Sequence, residues 1–332
     1  MSPPSTALFR PDKLKTAATF SGTILAAWLA TTAAAEAKPY KGAEVYSRNT
    51  YLYGRIEMRM RMIKGGGLLS TFFTYKNGSE IAGAFWEEID IEVLGKDNAM
   101  TWQSNIVSGQ PRETSEQIHR AASSLADDYH TYTLEWTPNY VSWALDGVQV
   151  RKTEGGQVSQ LTSPESFRFN VWSSENVGWV GEFDEASLPA YQFVNWIKYY
   201  RYDNGNFVLD WTDNFDTFDN NRWLRGTWTF ESNRVDFQPA NAVVQDGVLV
   251  LAITKEGTAG FSGTVPRDPQ DDNADGPSDA TPTSASEGSN SSGCSVATSQ
   301  GGPRGTWTAV LSLGLAFGLR RASRPRRPRG RC

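Results

Sequence analysis

The sequence predicts an all-β protein whose central fold is a two-sheet jelly-roll sandwich. Three observations carry this. Period-two runs recur at close spacing between residues 38 and 260, Gly, Asn and Asp turns separate them, and no long stretch shows a convincing 3.6-residue period. The aromatic content (12 Trp, 12 Tyr, 16 Phe) agrees, because such residues favour strands and fill a large core. A length of 332 residues allows one large β domain or two smaller ones.

Taken in order, the chain opens with Arg10, Lys13 and Lys15, a small and apolar stretch over 17–35, and an Ala35-Glu36-Ala37 step. That is the pattern of a secretory signal peptide over residues 1–37. The run is short and Thr/Ser-interrupted for a membrane span. Arg55–Ile63 then alternates charged and apolar side chains, as a strand with one buried face does. Further strands are expected at Ser70–Tyr75, Glu88–Leu94, Met100–Ile106, His130–Trp136, Tyr140–Leu145, Val148–Lys152, Phe167–Trp172, Asn195–Tyr202 and Val248–Thr254. Asp146-Gly147 is a hairpin signal between two of them. The Asp/Asn-rich run 210–221 lacks EF-hand spacing and reads as turns.

Residues 261–293 form a linker; from 266 onward they carry almost no apolar side chains and cannot offset their own ordering entropy. Residues 294–332 combine Cys294, an apolar run Trp307–Leu319 and an arginine cluster ending at Arg331. This tail resembles the Cys-containing sorting signals of bacterial surface proteins. A plain membrane anchor is the alternative, although the run is shorter than the ~20 residues a span needs. The only cysteines are Cys294 and Cys332, so the 38–260 domain has no disulfide and no Cys-based metal site. Removing both ends takes eleven basic and two acidic residues, leaving 21 basic against 35 acidic, a net charge of −14. That argues against nucleic acid, whose phosphates need Lys and Arg; a neutral polysaccharide is compatible.

The chemistry sits in Trp86-Glu87-Glu88-Ile89-Asp90-Ile91-Glu92-Val93-Leu94-Gly95. Alternation puts Glu88, Asp90 and Glu92 on one face with Trp86, and Ile89, Ile91 and Val93 on the other. Crowded like charges raise at least one pKa, which permits one ionised and one protonated carboxyl side by side. Glycoside hydrolysis needs that division. The two glutamate Cα atoms lie about 13 Å apart along a strand, and long side chains leaning over the shorter Asp90 approach the separation of a retaining enzyme. A solvated acidic face is the bland alternative. His130 reads as a structural residue at a strand start and His119 as a loop residue.

Glu-Ile-Asp-Ile-Glu followed by Val-Leu-Gly resembles the active-site signature of glycoside hydrolase family 16. The likeness continues in His130–Pro138, Trp143, Asp146-Gly147 and Asn195–Tyr199, over about residues 40–257. Within the family the uninterrupted motif is similar to the lichenases; laminarinase-like members usually insert a residue before the second Glu. The resemblance implies a concanavalin-like sandwich with Glu88 as nucleophile, Glu92 as general acid/base and Asp90 tuning the nucleophile. It implies endo-hydrolysis of β-1,4 bonds adjacent to β-1,3 bonds in mixed-linkage β-glucan.

The same likeness gives cleft roles to Phe73, Tyr75, Trp86, Gln103, Asn105, Trp172, Trp179 and Trp228, and further out to Asn77, Arg168 and Glu175. For any single aromatic the alternative is core packing. Asp213-Asn214-Phe215, Trp223, Trp228 and Asp246–Leu249 resemble elements that come first in most lichenases, so the order looks circularly permuted, with the old ends joined at Tyr202–Phe207. The family also implies a structural calcium at Asn195, Asn214 and Gly247 and no catalytic cofactor. The expected partner is β-glucan and the catalytic domain is expected to be monomeric. The protein is expected to be secreted, with its tail read by a membrane sorting protease and anchoring it at the surface. Glu87 stands where many lichenases have Asp, a departure expected to bear on the cleft edge or the pH optimum. Two other activities stay open: hydrolysis of laminarin or xyloglucan, and non-catalytic glucan binding.

Overall fold

A computed structural model describes residues 37–270. The expected signal peptide before residue 37, the linker beyond residue 270 and the sorting tail 294–332 lie outside the described residues. The alternating runs fold as strands: β1 Tyr40–Ser47, β2 Gly54–Arg61, β3 Leu68–Tyr75, β4 Trp86–Leu94, β5 Thr101–Gly109, β6 Glu113–Thr114, β7 Gln117–Arg120, β8 His130–Trp136 and β9 Tyr140–Leu145. Then follow β10 Val148–Glu154, β11 Ser166–Ser173, β12 Ala190–Asp203, β13 Asn206–Asp213, β14 Trp223–Arg225, β15 Val235–Phe237, β16 Ala242–Gln245 and β17 Val248–Lys255.

Two antiparallel layers result. One runs β14-β1-β11-β3-β4-β5-β7, with β6 also on β5. The other runs β16-β17-β12-β2-β8-β9-β10, with β13 on the C-terminal half of β12. The first half of β1 also pairs with β15 and β17. Between the layers, Phe72, Ile89, Ile91, Val93, Phe169 and Val171 of the first meet Ile56, Met58, Leu134, Val141, Ile197 and Leu251 of the second in one buried cluster. The Trp143 indole N–H crosses the core to donate to the main-chain oxygen of Asp90 at 3.0 Å, fixing the second layer to the strand that bears the acids. Asp146 and Gly147 take φ of 49° and 77°, the left-handed pair a tight hairpin requires, and close β9 onto β10.

Several expectations are corrected. β1 is an unforeseen central strand; its Lys, Gly and Glu hid a segment buried by neighbours on both sides. Of the run 210–221 expected as turns, residues 210–213 belong to strand β13, paired along β12. His119 lies in β7 rather than a loop, with its Nε2 2.8 Å from Ser104 Oγ and its ring 4.5 Å from Trp102.

The linker begins later than 261. Phe261 packs on Tyr191 and Phe193. Asp268 is buried and accepts from Arg59 Nε at 2.8 Å and Nη2 at 2.7 Å, and from Asn195 Nδ2 at 2.9 Å. Segment 261–270 thus covers a β2 side chain that alternation alone would leave in water. Arg59 is only 4% exposed, and a buried guanidinium that loses its carboxylate is costly. Asp268→Ala is expected to lower the unfolding free energy by about 3–5 kcal/mol; an unchanged urea midpoint would show that the strap contributes nothing to stability.

Candidate active site

Strand register assembles the site in three rows across the first layer. One row is Glu44, Asn170, Thr71, Glu92 and Gln103; the next is Tyr46, Arg168, Phe73, Asp90 and Asn105; the third is Ser166, Tyr75, Glu88 and Val107. Because successive residues alternate faces, fixing one row on the open face fixes all three. All of these but the buried Ser166 line the floor of a cleft of about 1460 Å³.

The three acids share that floor and differ in surroundings. Glu88 accepts from Trp86 Nε1 at 2.6 Å. Burial raises its pKa, opposed by hydrogen bonds from Asp90 and Trp86 and by the charges of Arg112 and Arg168. Asp90 is pushed well above the carboxylate range, by burial first and then by the charges of Glu88 and Glu92. A protonated Asp90 donates to Glu88, and Glu88 is therefore the member best able to hold the negative charge. Glu92 is raised to about 8, by burial and then by the charges of Glu88 and Glu116. The surroundings thus favour negative charge on Glu88 and a retained proton on Glu92, four residues away on the same face.

Aromatic rings wall the floor. Trp172 stands edge-on to Trp179 at 5.7 Å and to Phe230 at 5.0 Å, and the Trp179 indole N–H donates to Gln103 Oε1. Toward the other end, Tyr75 and Trp86 lie 5.6 Å apart at 80°, and the Arg112 guanidinium sits 4.6 Å over Trp86. Arg168 stacks 4.6 Å from Tyr75, donates to Glu44 Oε1 at 2.8 Å and to Asn77 Oδ1 at 2.7 Å. Trp228 is 36% exposed and packs 5.2 Å from Tyr46. Flat apolar rings beside amides and charged groups suit sugar faces and sugar hydroxyls.

Of the residues singled out in the sequence, Glu88, Asp90, Glu92, Phe73, Tyr75, Asn77, Trp86, Gln103, Asn105, Arg168, Trp172, Trp179 and Trp228 all line the cleft. Glu175 does not; its side chain is exposed, and its neighbour Asn176 lines the wall while capping the short helix Val177–Val180. Glu87 is corrected as well. It faces away from the cleft, buried, and accepts from the Thr162 and Ser163 amides at 2.7 and 2.8 Å. Sequence reasoning missed Glu44, Tyr46, Asn170, Arg112 and the 229–232 loop. The signal for Asn170 was present, since it lies between Arg168 and Trp172 in the same period of two.

Among the described residues no group of three or more His, Cys, Asp or Glu side chains is placed to hold a metal. The residues expected to hold calcium lie at strand ends and a bulge. Asn195 falls in a bulge of β12, between the residues paired with β17 and those paired with β13; Asn214 follows β13 and Gly247 precedes β17.

The chain is similar in sequence to known glycoside hydrolases. The model of glycosyl hydrolases family 16 matches residues 13–198. A beta-glucanase of Fibrobacter succinogenes is 51% identical over 263 residues, covering 76% of this chain and 75% of that protein. A beta-glucanase of Acetivibrio thermocellus is 34% identical over 166 residues, and the match spans 49% of this chain and 46% of the relative. Among solved structures, Bacillus licheniformis beta-glucanase aligns with a TM-score of 0.43 at 32% identity, over 48% of this chain and 71% of that one.

One further acid lies behind the site. Glu165 is fully buried, bonded by the Thr74 hydroxyl, and its other oxygen has no partner. Burial, with the charges of Glu87 and Glu88, raises its pKa well above 4.5. The folded protein therefore keeps a proton that the unfolded chain sheds above pH 4.5, and stability falls as pH rises through that window. Thermal denaturation above pH 4.5 is expected to show stability falling as pH rises, with this group contributing to the slope. Glu165→Gln should remove that contribution, and identical slopes in both proteins would refute it.

Proposed function

The chain belongs to glycoside hydrolase family 16, and from that premise we propose that it is an endo-β-glucanase of mixed-linkage β-glucan, a licheninase, cutting β-1,4 bonds next to β-1,3 bonds with retention. The observation that carries this reading is the placement of Glu88 and Glu92 on one face of β4, at the floor of a cleft walled by tryptophans, with Trp86 bonded to Glu88 and Glu92 left beside further negative charge.

Glu88, ionised and steered by Trp86 and Asp90, attacks the anomeric carbon. Glu92 gives its proton to the departing glycosidic oxygen, and a glycosyl ester forms on Glu88. Glu92, now a carboxylate, takes a proton from water as that water attacks the ester, and both carboxyls return to their starting states. Proton transfers and one nucleophile account for every step. The lichenase-like motif, with nothing inserted between Asp90 and Glu92 but Ile91, supports the mixed-linkage substrate.

We read the domain as circularly permuted. Strands β13 to β17 complete both layers although the family match stops at residue 198, and Asn204-Gly205 joins β12 to β13 in a two-residue turn that needs no linker. A calcium held by main-chain oxygens of Asn195, Asn214 and Gly247 would brace the junction where β12 changes partners. Secretion, a monomeric catalytic domain and processing of the tail by a sorting protease complete the proposal, supported by the terminal sequence patterns.

Incubation of the purified protein with barley β-glucan, laminarin and xyloglucan tests the function, with Glu88→Gln as control. Cleavage of barley β-glucan, lost by about 10³-fold or more in Glu88→Gln, is expected. Glu92→Ala should recover on aryl glycosides with good leaving groups in the presence of azide, because those need no protonation by the enzyme. Preferred cleavage of laminarin or xyloglucan would overturn the substrate assignment, and binding without cleavage would reduce the protein to a lectin.

A further inference from the structure

We infer that Lys38 is a positioning residue for the cleft: its ammonium organises the 228–233 loop that forms one glucan-binding wall. This rests on the cleft being the glucan site proposed above.

The loop contributes Trp228, Thr229, Phe230, Glu231 and Ser232 to the cleft lining. It follows β14 and carries no strand until β15, so it needs side-chain support to hold those groups in one arrangement. An ammonium has three protons. Those of Lys38 meet three acceptors of this single loop: Thr229 Oγ1 at 2.9 Å, the Phe230 main-chain oxygen at 2.9 Å and the Asn233 main-chain oxygen. Lys38 is itself anchored. Its main-chain N–H donates to Asp236 Oδ2 at 2.9 Å, and Lys41 Nζ donates both to that carboxylate at 2.9 Å and to the Lys38 main-chain oxygen at 2.7 Å.

The far side of the loop is tied to the opposite wall. The Glu175 amide donates to Ser232 O at 2.9 Å, the Arg234 amide donates to Ser173 O at 2.7 Å, and Phe230 packs on Trp172. The loop thus spans from the N-terminal strand to the Trp172 wall, with Lys38 as its fastening on one side. Loss of the ammonium leaves the Asn233 main-chain oxygen and the Thr229 hydroxyl without this donor, while the Phe230 oxygen keeps the Asn233 amide at 3.1 Å and the Trp228 oxygen keeps the Phe237 amide at 2.9 Å, so the segment 229–233 between those ties loosens beside Trp228. Substrate then has to order the loop on binding, which weakens affinity while leaving Glu88 and Glu92 in place.

The location adds a consequence. Lys38 is the first residue after the expected Ala35-Glu36-Ala37 processing step. Cleavage there would turn its main-chain nitrogen into an α-ammonium facing Asp236, a charge-assisted bond in place of a neutral one. A cut one residue later would remove the fastening altogether.

The test uses the full secreted chain with Lys38→Met, which keeps an apolar stem and loses the donors, and Lys38→Arg, which restores charge and donors. On barley β-glucan, Lys38→Met is expected to raise KM about three- to tenfold with kcat within about twofold, and Lys38→Arg to recover part of the loss. In a Trp228→Ala background the Lys38→Met effect should shrink toward nothing, because both changes act on one wall. Calorimetric binding of a mixed-linkage tetrasaccharide to Glu88→Gln, with and without Lys38→Met, reads the same difference without turnover. A protein that cleaves no glucan would therefore sink the hydrolase reading while this comparison still decides the role of Lys38. An unchanged KM and affinity with a lowered Tm, or an undiminished effect beside Trp228→Ala, would overturn the inference.

Discussion

The site depends on one constraint: a single pleated strand holds three carboxyl groups on its open face while its other face is locked in the core. Ile89, Ile91 and Val93 anchor β4 between the layers, and Trp143 bonds its backbone from behind. The acids therefore cannot turn away from one another. Mutual repulsion in a partly dry cleft is relieved by keeping protons, and the surroundings decide which groups keep them. Trp86, Asp90 and two arginines favour charge on Glu88, whereas Glu92 faces only further negative charge. Packing thus becomes chemistry, because the same rigidity that aligns the carboxyls also separates their ionisation.

Everything around the trio serves either to extend the floor or to hold a wall. Neighbouring strands add amides and an arginine in register, so the floor is as rigid as the sheet. The walls come from connections, and these are tied down individually. Glu87 caps the turn at 162–163 from the reverse face, Asn105 accepts from the Ser115 amide at 3.0 Å, and Lys38 gathers the 228–233 loop. Loops that carry binding groups on a rigid scaffold need such local fastening.

The decisive strand was legible in the sequence because period two states which residues share a face. That rule placed Glu88, Asp90 and Glu92 together and sent the isoleucines inward, and it placed Phe73 beside Tyr75 and Gln103 beside Asn105. Alternation does not say which strands lie side by side. Pairing of β1 with β11 is what brings Glu44 and Tyr46 to the floor, and nothing in a polar segment near the N-terminus announced it. Loop positions were equally opaque. Glu175 was expected in the wall where Asn176 stands, the residue that caps the short helix Val177–Val180. Segment 261–270 read as linker because its one buried charge, Asp268, makes sense only beside Arg59. In each case the missing information was a contact between residues distant in sequence.

Carbon-13 NMR titration of the carboxyl groups of Glu88, Asp90 and Glu92 tests the central claim most directly. The account predicts that Glu88 loses its proton first and that Glu92 holds its proton past neutrality, titrating at about 8. Glu92 titrating in the ordinary glutamate range, or ahead of Glu88, would contradict it.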